Sequence, residues 1–347
     1  MSEHKFPYKW YLKDDYPAKG INKNGCKVFG TFVCGGGSTM GYKLAGFNHI
    51  GGIEIDAKIA DVYKTNHNPK YFFVEDIREF NKRDDLPSEL YDLDLLDGSP
   101  PCSSFSMAGN RDKDWGKKKK FKEGQKMQRL DDLVFEYIKT IKKLQPKVAI
   151  LENVKGLIQG NAKAYTKKIF QEFRAAGYRV QLFLLNAASM GVPQKRERVF
   201  FIGLRNDFKL PKLKLEFNEK PILFKDVEDL NDFKEHDKKV KSYNLWLKIK
   251  QGQNFSLADK SNNFFGYSKV SKNETPNTIV SNSGTAQWHY NTFRQLNKSE
   301  LSKIGSYPLD YNFKDTKPKY LIGMSVPPVM TAQISNQIYL QWLKHIK

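Results

Sequence analysis

Lys27-Val28-Phe29-Gly30-Thr31-Phe32-Val33-Cys34-Gly35-Gly36-Gly37-Ser38-Thr39-Met40-Gly41-Tyr42-Lys43-Leu44-Ala45 is the stretch that decides how this chain is organised. A short β-rich run over 27–32 meets a glycine cluster at Gly35, Gly36 and Gly37. An amphipathic stretch from Thr39 to Ala45 follows, which predicts strand, turn and helix in that order. Glycines at such a turn let backbone approach a ligand closely, and the start of a helix favours an anionic or polar group. About twenty residues on, Glu54 ends a second apolar run, His49-Ile50-Gly51-Gly52-Ile53. That is the spacing at which nucleotide-binding α/β proteins set a carboxylate on a ribose. A tight turn between strand and helix would carry the same glycines, and the spaced carboxylate tips the balance towards a ligand site.

The alternation continues outward from this stretch. A helix is expected over Ala57 to Thr65, a strand over Tyr71 to Val74 ending in Glu75-Asp76, and a strand over Leu93 to Leu96. Together they predict an α/β fold with a doubly wound, mostly parallel sheet. The last of these strands runs into Gly98-Ser99-Pro100-Pro101-Cys102-Ser103, where two prolines restrict the backbone and present the thiol in a defined direction. A lone cysteine at a strand end is as often a small apolar residue, so this segment alone leaves both readings open. From Ser103 to Lys126 periodicity vanishes, and the tetralysine Lys117 to Lys120 reads either as a mobile loop closing over phosphates or as a solvated charge run.

Leu130, Leu133, Val134, Tyr137, Ile138 and Ile141 then predict a helix facing the sheet and ended by Pro146. Val148 to Leu151 reads as a buried strand carrying Glu152 and Asn153 at its carboxyl end, where open α/β sheets place their chemistry. A helix over Tyr165 to Ala176 and a strand over Tyr178 to Leu185 follow. Gln194-Lys195-Arg196-Glu197-Arg198 leads into a strand at Val199 to Gly203. Arg196 and Arg198 share a face by strand periodicity, and two guanidiniums there call for an anionic or polar ligand. Between about Leu204 and Asn291 the alternation stops, which predicts a small inserted module. A helix at Lys298 to Ile304 follows. A final helix opens at Ser325-Val326-Pro327-Pro328, with Met330, Ile334, Ile338 and Trp342 in one apolar stripe expected to pack back on the first domain.

The 347 residues can bury a sizeable core, and 58 Lys+Arg against 38 Asp+Glu give a formal charge of +20. That balance points to a polyanion, nucleic acid first, although a lysine-rich solvated surface has the same composition. Cys26, Cys34 and Cys102 form no C-x-x-C pair, which predicts a reducing cytoplasm and no metal cluster. No stretch approaches the ~20 apolar residues of a membrane span, so a soluble cytoplasmic protein is expected.

Taken in order, these stretches resemble the DNA cytosine carbon-5 methyltransferases nearly end to end. Phe32 to Phe47 is similar to the family's first motif, Ile53-Glu54-Ile55-Asp56 to its ribose-binding acid, and Asp76-Ile77 to the pair that meets the adenine amino group. Pro100-Pro101-Cys102 resembles the nucleophile motif, Glu152-Asn153-Val154 the E-N-V motif, and Gln194, Arg196 and Arg198 fill Q-x-R-x-R. Arg294-Gln295-Leu296 through Tyr307-Pro308 resembles the ninth motif and Gly323 to Pro328 the tenth. Cys34 stands where the family has its first motif glycine, and Met324 where the last motif has asparagine.

The resemblance implies a Rossmann-like class I methyltransferase fold, with a catalytic domain over 1–204 and 315–347 and a target-recognition domain with its supporting motif over 205–314. It implies S-adenosylmethionine as cofactor, held by Phe32, Gly35, Gly36, Gly37, Glu54, Ile55, Asp76, Ile77, Pro100, Ser325 and Val326, and no metal. It implies that Cys102 adds to carbon 6 of a cytosine flipped from double-stranded DNA, with Glu152 at ring nitrogen 3 and Arg198 at oxygen 2. Arg196 is the candidate helper of the thiolate. Gln251, Gln253, Asn254 and Lys269 are chemically suited to base edges. A monomer in a bacterial or viral-host cytoplasm, associated with the nucleoid, is expected, and a cognate restriction endonuclease is the partner the family suggests. Methylation of transfer-RNA cytosine, or DNA binding without catalysis, are the alternative readings.

Overall fold

The computed structural model describes residues 4–101, 132–159, 162–231, 233–259, 264 and 266–346. Cys102, the segment 103–126 with its tetralysine, and Leu130 lie outside the described residues. The chain divides into two compact units. One comprises Tyr16–Leu185, Glu197–Glu216 and Ala332–Lys347, and the other Met1–Asp15, Asn186–Arg196 and Phe217–Thr331.

The first unit is built from β1 (Lys27–Thr31), α1 (Gly37–Leu44), β2 (Asn48–Ile53), α2 (Ala57–His67), β3 (Tyr71–Phe73), α3 (Ile77–Lys82), β4 (Leu95–Gly98), α4 (Leu133–Leu144), β5 (Val148–Val154), α5 (Lys163–Ala175), β6 (Tyr178–Asn186) and β7 (Glu197–Arg205). The sheet has seven strands in the order β3-β2-β1-β4-β5-β7-β6. Pairings from β3 through β5 are parallel, and β7 runs antiparallel to β5. The order reverses at β1 and β4, the switch point outside whose carboxyl ends such sheets bind ligands.

Local chemistry explains where the helices begin and end. Asp56 caps α2 by accepting from the Lys58 and Ile59 amides, and Asp76 caps α3 by accepting from Arg78. Gln145 closes α4 in the left-handed region at φ 48°, and Pro146 follows it, as the apolar periodicity required. Leu133, Val134, Tyr137, Ile138 and Ile141 of α4 pack with Leu96, Ala149, Leu151, Val199 and Phe201 in one core on one sheet face. Burial of each large side chain contributes ~1.5–3 kcal/mol. Strand register puts Asp97 beside Ile150 and Glu152 beside Phe200, hence on the opposite face.

The second unit contains α6 (Phe224–Val227), α7 (Lys241–Lys248), a parallel pair of β8 (Gly266–Lys269) and β9 (Thr285–Trp288), α8 (Lys298–Ile304) and α9 (Pro318–Met324). Its core is aromatic, with Leu245, Trp246, Ile249, Phe255, Ala286, Trp288 and Phe293 in one cluster. Trp288 and Phe293 stack at 4.5 Å between ring centroids. Asn297 and Glu300 form a reciprocal capping box at the start of α8.

The last helix, α10 (Pro328–Gln341), differs from the expected single stripe. Met330, Ile334 and Ile338 are buried, but so are Thr331, Gln333, Ser335 and Asn336. A helix covered on most sides carries no clean polar face, so its periodicity understates its burial.

Candidate active site

In the first unit the turn after β1 is held on a buried carboxylate. Glu54 accepts the Cys34 amide on Oε2 and the Asp56 amide on Oε1, each at 3.0 Å. Burial pushes the Glu54 carboxyl up to about 7 against the opposing pull of these amides. Backbone at the turn is left-handed at Phe32 (φ 57°), Cys34 (φ 46°) and Gly36 (φ 77°). At the first two, a side chain occupies a conformation ordinary for glycine.

His67, from the end of α2, supports this turn from beneath, with Nε2 3.2 Å from the Gly35 carbonyl. Burial holds the imidazole down at about 3, so it is neutral and Nε2 carries the donated proton. A Cβ added at Gly36 would lie 2.1 Å from that nitrogen, so the close approach itself requires glycine.

Ile55 is exposed beside the buried Glu54, while Ile77 belongs to the core. Asp76 caps α3 and also meets the Arg78 guanidinium at 3.0 Å. Pro100 is buried, and its carbonyl accepts from Asn153 Nδ2 at 3.1 Å, tying the end of β4 to that of β5. At the end of β5, Glu152 pairs with Arg198 of β7 through Nε at 3.1 Å. Register explains the meeting. Glu152 lies opposite Phe200 and Val154 opposite Arg198, on the same face. Desolvation lowers the Arg198 pKa and the Glu152 charge opposes it, so the guanidinium stays charged in a place that would disfavour it alone.

Arg196 belongs to the second unit and is buried there. Its guanidinium donates to the carbonyls of Ile279 at 3.2 Å and Gly323 at 3.1 Å. Gln194 works alongside, donating to Ile304 O and accepting from the Ile279 amide, each at 3.1 Å. Arg196, the candidate helper of the thiolate, and Gln194 fasten backbone segments of their own unit. Ser325 is buried with its hydroxyl 2.6 Å from Tyr307 Oη, and Val326 is buried beside it in sequence.

The residues expected to read base edges have internal tasks. Lys269 Nζ sits 3.9 Å from the Trp246 ring centroid and donates to the Trp246 and Ile249 carbonyls. Burial lowers its pKa, and a buried ammonium held by a ring face and two carbonyls is a staple of the aromatic core. Gln251 accepts the Lys272 amide, Gln253 the Lys250 amide and Asn254 the Ser256 amide, which makes them turn builders.

Sequence reasoning passed over a polar row on the face of Glu152. Asp97 is buried and accepts from Tyr42 Oη at 3.0 Å, while Thr39 Oγ1 lies 3.3 Å from His49 and 3.0 Å from Tyr63. The visible signal was a carboxylate inside the apolar run Leu95-Leu96-Asp97, since parallel strands covered on both faces read as near-continuous apolar runs.

The C-5 cytosine-specific DNA methylase family matches residues 26–340. The type II methyltransferase M.FnuDI of Fusobacterium nucleatum is 29% identical over 344 residues, covering 90% of this chain and 94% of its own length. M.NgoPII of Neisseria gonorrhoeae, also a type II methyltransferase, is 34% identical over 218 residues, 60% of this chain and 58% of its own. Among solved structures, a methyltransferase encoded within an E. coli prophage superposes with TM-score 0.69 at 20% identity, covering 91% of this chain and 99% of its own. The S. pombe Dnmt2 methyltransferase gives TM-score 0.60 at 17% identity, covering 93% of this chain and 100% of its own.

Proposed function

This chain belongs to the C-5 cytosine-specific DNA methylases, and we propose that it methylates carbon 5 of a cytosine flipped from duplex DNA, with S-adenosylmethionine as donor and Cys102 as nucleophile. The observation that carries the reading is the Glu152–Arg198 pair, formed where the carboxyl end of β5 meets the amino end of the antiparallel β7, with the end of β4 tied alongside through Asn153 and Pro100. An acid and a guanidinium held together on one sheet face suit a neutral heterocycle that gains negative charge as it reacts.

The residues around the turn after β1 fit the donor. Glu54 offers carboxylate lone pairs to a ribose diol, exposed Ile55 offers an apolar surface to a base, and Asp76 stands at the head of α3 to accept from an amino group. Phe32, Gly35, Gly36, Gly37, Ile77, Pro100, Ser325 and Val326 complete the proposed cofactor set. When bound, this sulfonium supplies an electrophilic methyl group.

The chain's own residues would do the rest. The Cys102 thiolate forms a bond to carbon 6, and the electron density this places on the ring is met at nitrogen 3 by the Glu152 proton. Arg198 would donate to oxygen 2 and lend positive charge. After transfer, loss of the carbon 5 proton lets the carbon 6–sulfur bond break and returns the thiolate. Arg196 and Gln194 would act at a remove, by holding the segment that precedes β7. We place target recognition in the inserted module, 205–314, and the methyltransferase domain in 1–204 with 315–347. The type II names of the relatives support a cognate endonuclease as partner, and a monomer is the proposed state. Among the described residues no helix is long and apolar enough to cross a membrane.

The test is transfer of labelled methyl from S-adenosylmethionine to duplex DNA and, in parallel, to transfer RNA. Label on DNA that disappears with Cys102→Ser supports the reading. Label on RNA alone, or transfer retained by that variant, overturns it.

A further inference from the structure

The antiparallel ladder of β5 and β7 runs from Val148 opposite Leu204 to Val154 opposite Arg198, so one further step sets Lys155 opposite Glu197. There Lys155 Nζ meets Glu197 Oε2 at 2.9 Å, with side chains 37% and 43% exposed. Lys155 opens the short turn Lys155–Ile158, whose buried Gly156 and Leu157 fix its backbone before the side chain reaches out. Neighbours on a strand point to opposite faces, so Glu197 and Arg198 diverge. Their shared peptide links the two sides. Arg198 Nη1 donates to the Glu197 carbonyl at 2.8 Å, while Nε meets Glu152 Oε1 at 3.1 Å. The end of β5 is thus held towards β4 by Asn153 on the Pro100 carbonyl and towards β7 by two charge pairs.

We propose that Lys155 and Glu197 are positioning residues for methyl transfer, an ion pair that closes the last rung between β5 and β7 and so sets the angle at which Arg198 stands beside Glu152. This inference rests on the proposed role of Arg198 at oxygen 2 of the cytosine. A cross-strand pair of opposite charge supports its ladder only modestly, and a partly exposed one adds little to global stability. Its place gives it leverage. Glu197 is the first residue of β7, so without that rung the strand start frays, and the carbonyl that orients Nη1 frays with it. A hydrogen bond that serves a transition state is steep in geometry, so a displaced guanidinium costs rate before it costs binding. The alternative task for Lys155 is a DNA phosphate. A lysine kept for that purpose would stand clear of carboxylates, whereas this ammonium already has Glu197 at 2.9 Å.

The experiment is a double-mutant cycle read by single-turnover methyl transfer, at saturating donor, to duplex DNA from a host lacking the protein. DNA dissociation constants and melting temperatures are measured alongside. Lys155→Met and Glu197→Gln should each lower the rate about fivefold, with DNA affinity changed by less than about twofold. The double variant should be no slower than either alone, because each change removes the same contact. An unchanged rate in either single variant, or losses that multiply in the double variant, overturns the inference. So does a DNA affinity that falls in Lys155→Met and rises in Glu197→Gln, the signature of a lysine on phosphate. Should one single variant not fold, the rate of the other decides. Arg198→Lys keeps the charge without the fork and separates the two levels. Full transfer in that variant removes the proposed role of Arg198. Lost transfer there, with Lys155→Met and Glu197→Gln at full rate, removes only the role of the pair.

Discussion

Two buried arginine–glutamate pairs, one in each unit, have the same chemistry and opposite design. Arg294 and Glu300 meet by two bonds of 2.7 Å, and both side chains are 0% exposed. Glu300 also accepts the Asn297 and Asp229 amides, so its oxygens are used to hold the start of α8 and the segment that follows α6. Arg198 and Glu152 meet through Nε at 3.1 Å, with side chains 15% and 11% exposed. Where a buried charge pair is bidentate and shared with backbone it holds a fold together. Where it is partly exposed at a strand end it stays within reach of a ligand.

The comparison breaks most visibly at the saturated pair. Arg294→Ala would leave Glu300 buried without its counter-charge, and the unfolding free energy should fall by about 4 kcal/mol. Chemical denaturation measures this, and a loss below about 1 kcal/mol would mean that the pair is not structural.

A buried carboxylate without an arginine sharpens the contrast. Glu54, pushed up to about 7 by burial, takes up a proton on folding. Its raised folded value makes its contribution most favourable below the usual carboxylate range, and stability is lost as pH rises from about 4.5 towards 7. The full effect is about 3 kcal/mol. Denaturation at several pH values should show that slope in the unliganded protein and not in Glu54→Gln. Equal slopes would place the proton elsewhere.

At the reachable pair, Glu152→Gln keeps the side-chain shape and an acceptor for Arg198, and should lower single-turnover transfer about 100-fold, about 2.7 kcal/mol in the barrier, with a smaller loss of stability than Arg294→Ala. Equal loss of stability and activity would make it a second structural pair. Smallest is the effect at Lys269, a buried cation on the Trp246 face. Lys269→Met keeps the stem and removes the desolvated charge, so stability should change by less than ~1 kcal/mol, and DNA affinity should hold. A selective loss of DNA binding in a folded Lys269→Met protein would return this residue to base reading.

Much of this was legible in the residues. The strand, glycine turn and helix at 27–45, the α4 stripe ended by Pro146, and the helix at 298–304 are local patterns, and local patterns declare themselves along the chain. The likeness of the site motifs to a family was legible for a similar reason, because each is a short run of fixed spacing. Their partners were not. Arg196 and Arg198 stand two apart and read as a matched pair, yet one fastens the Ile279 and Gly323 carbonyls and the other meets Glu152. Lys269 reads as surface chemistry and is bound inside its own module, while Gln253 accepts the Lys250 amide in an exposed turn.

The amino-acid sequence by itself determined the α/β alternation, the turn that meets Glu54, the order of the motifs and the excess of positive charge. These follow from periodicity, turn chemistry and composition, which act between neighbours in the chain. Only the tertiary structure decided that Glu152 of β5 meets Arg198 of β7, and that Asp97 of β4 meets Tyr42 of α1. Strand order and register set those meetings, and no local spacing encodes them, because the partners in the sheet are tens of residues apart in the chain.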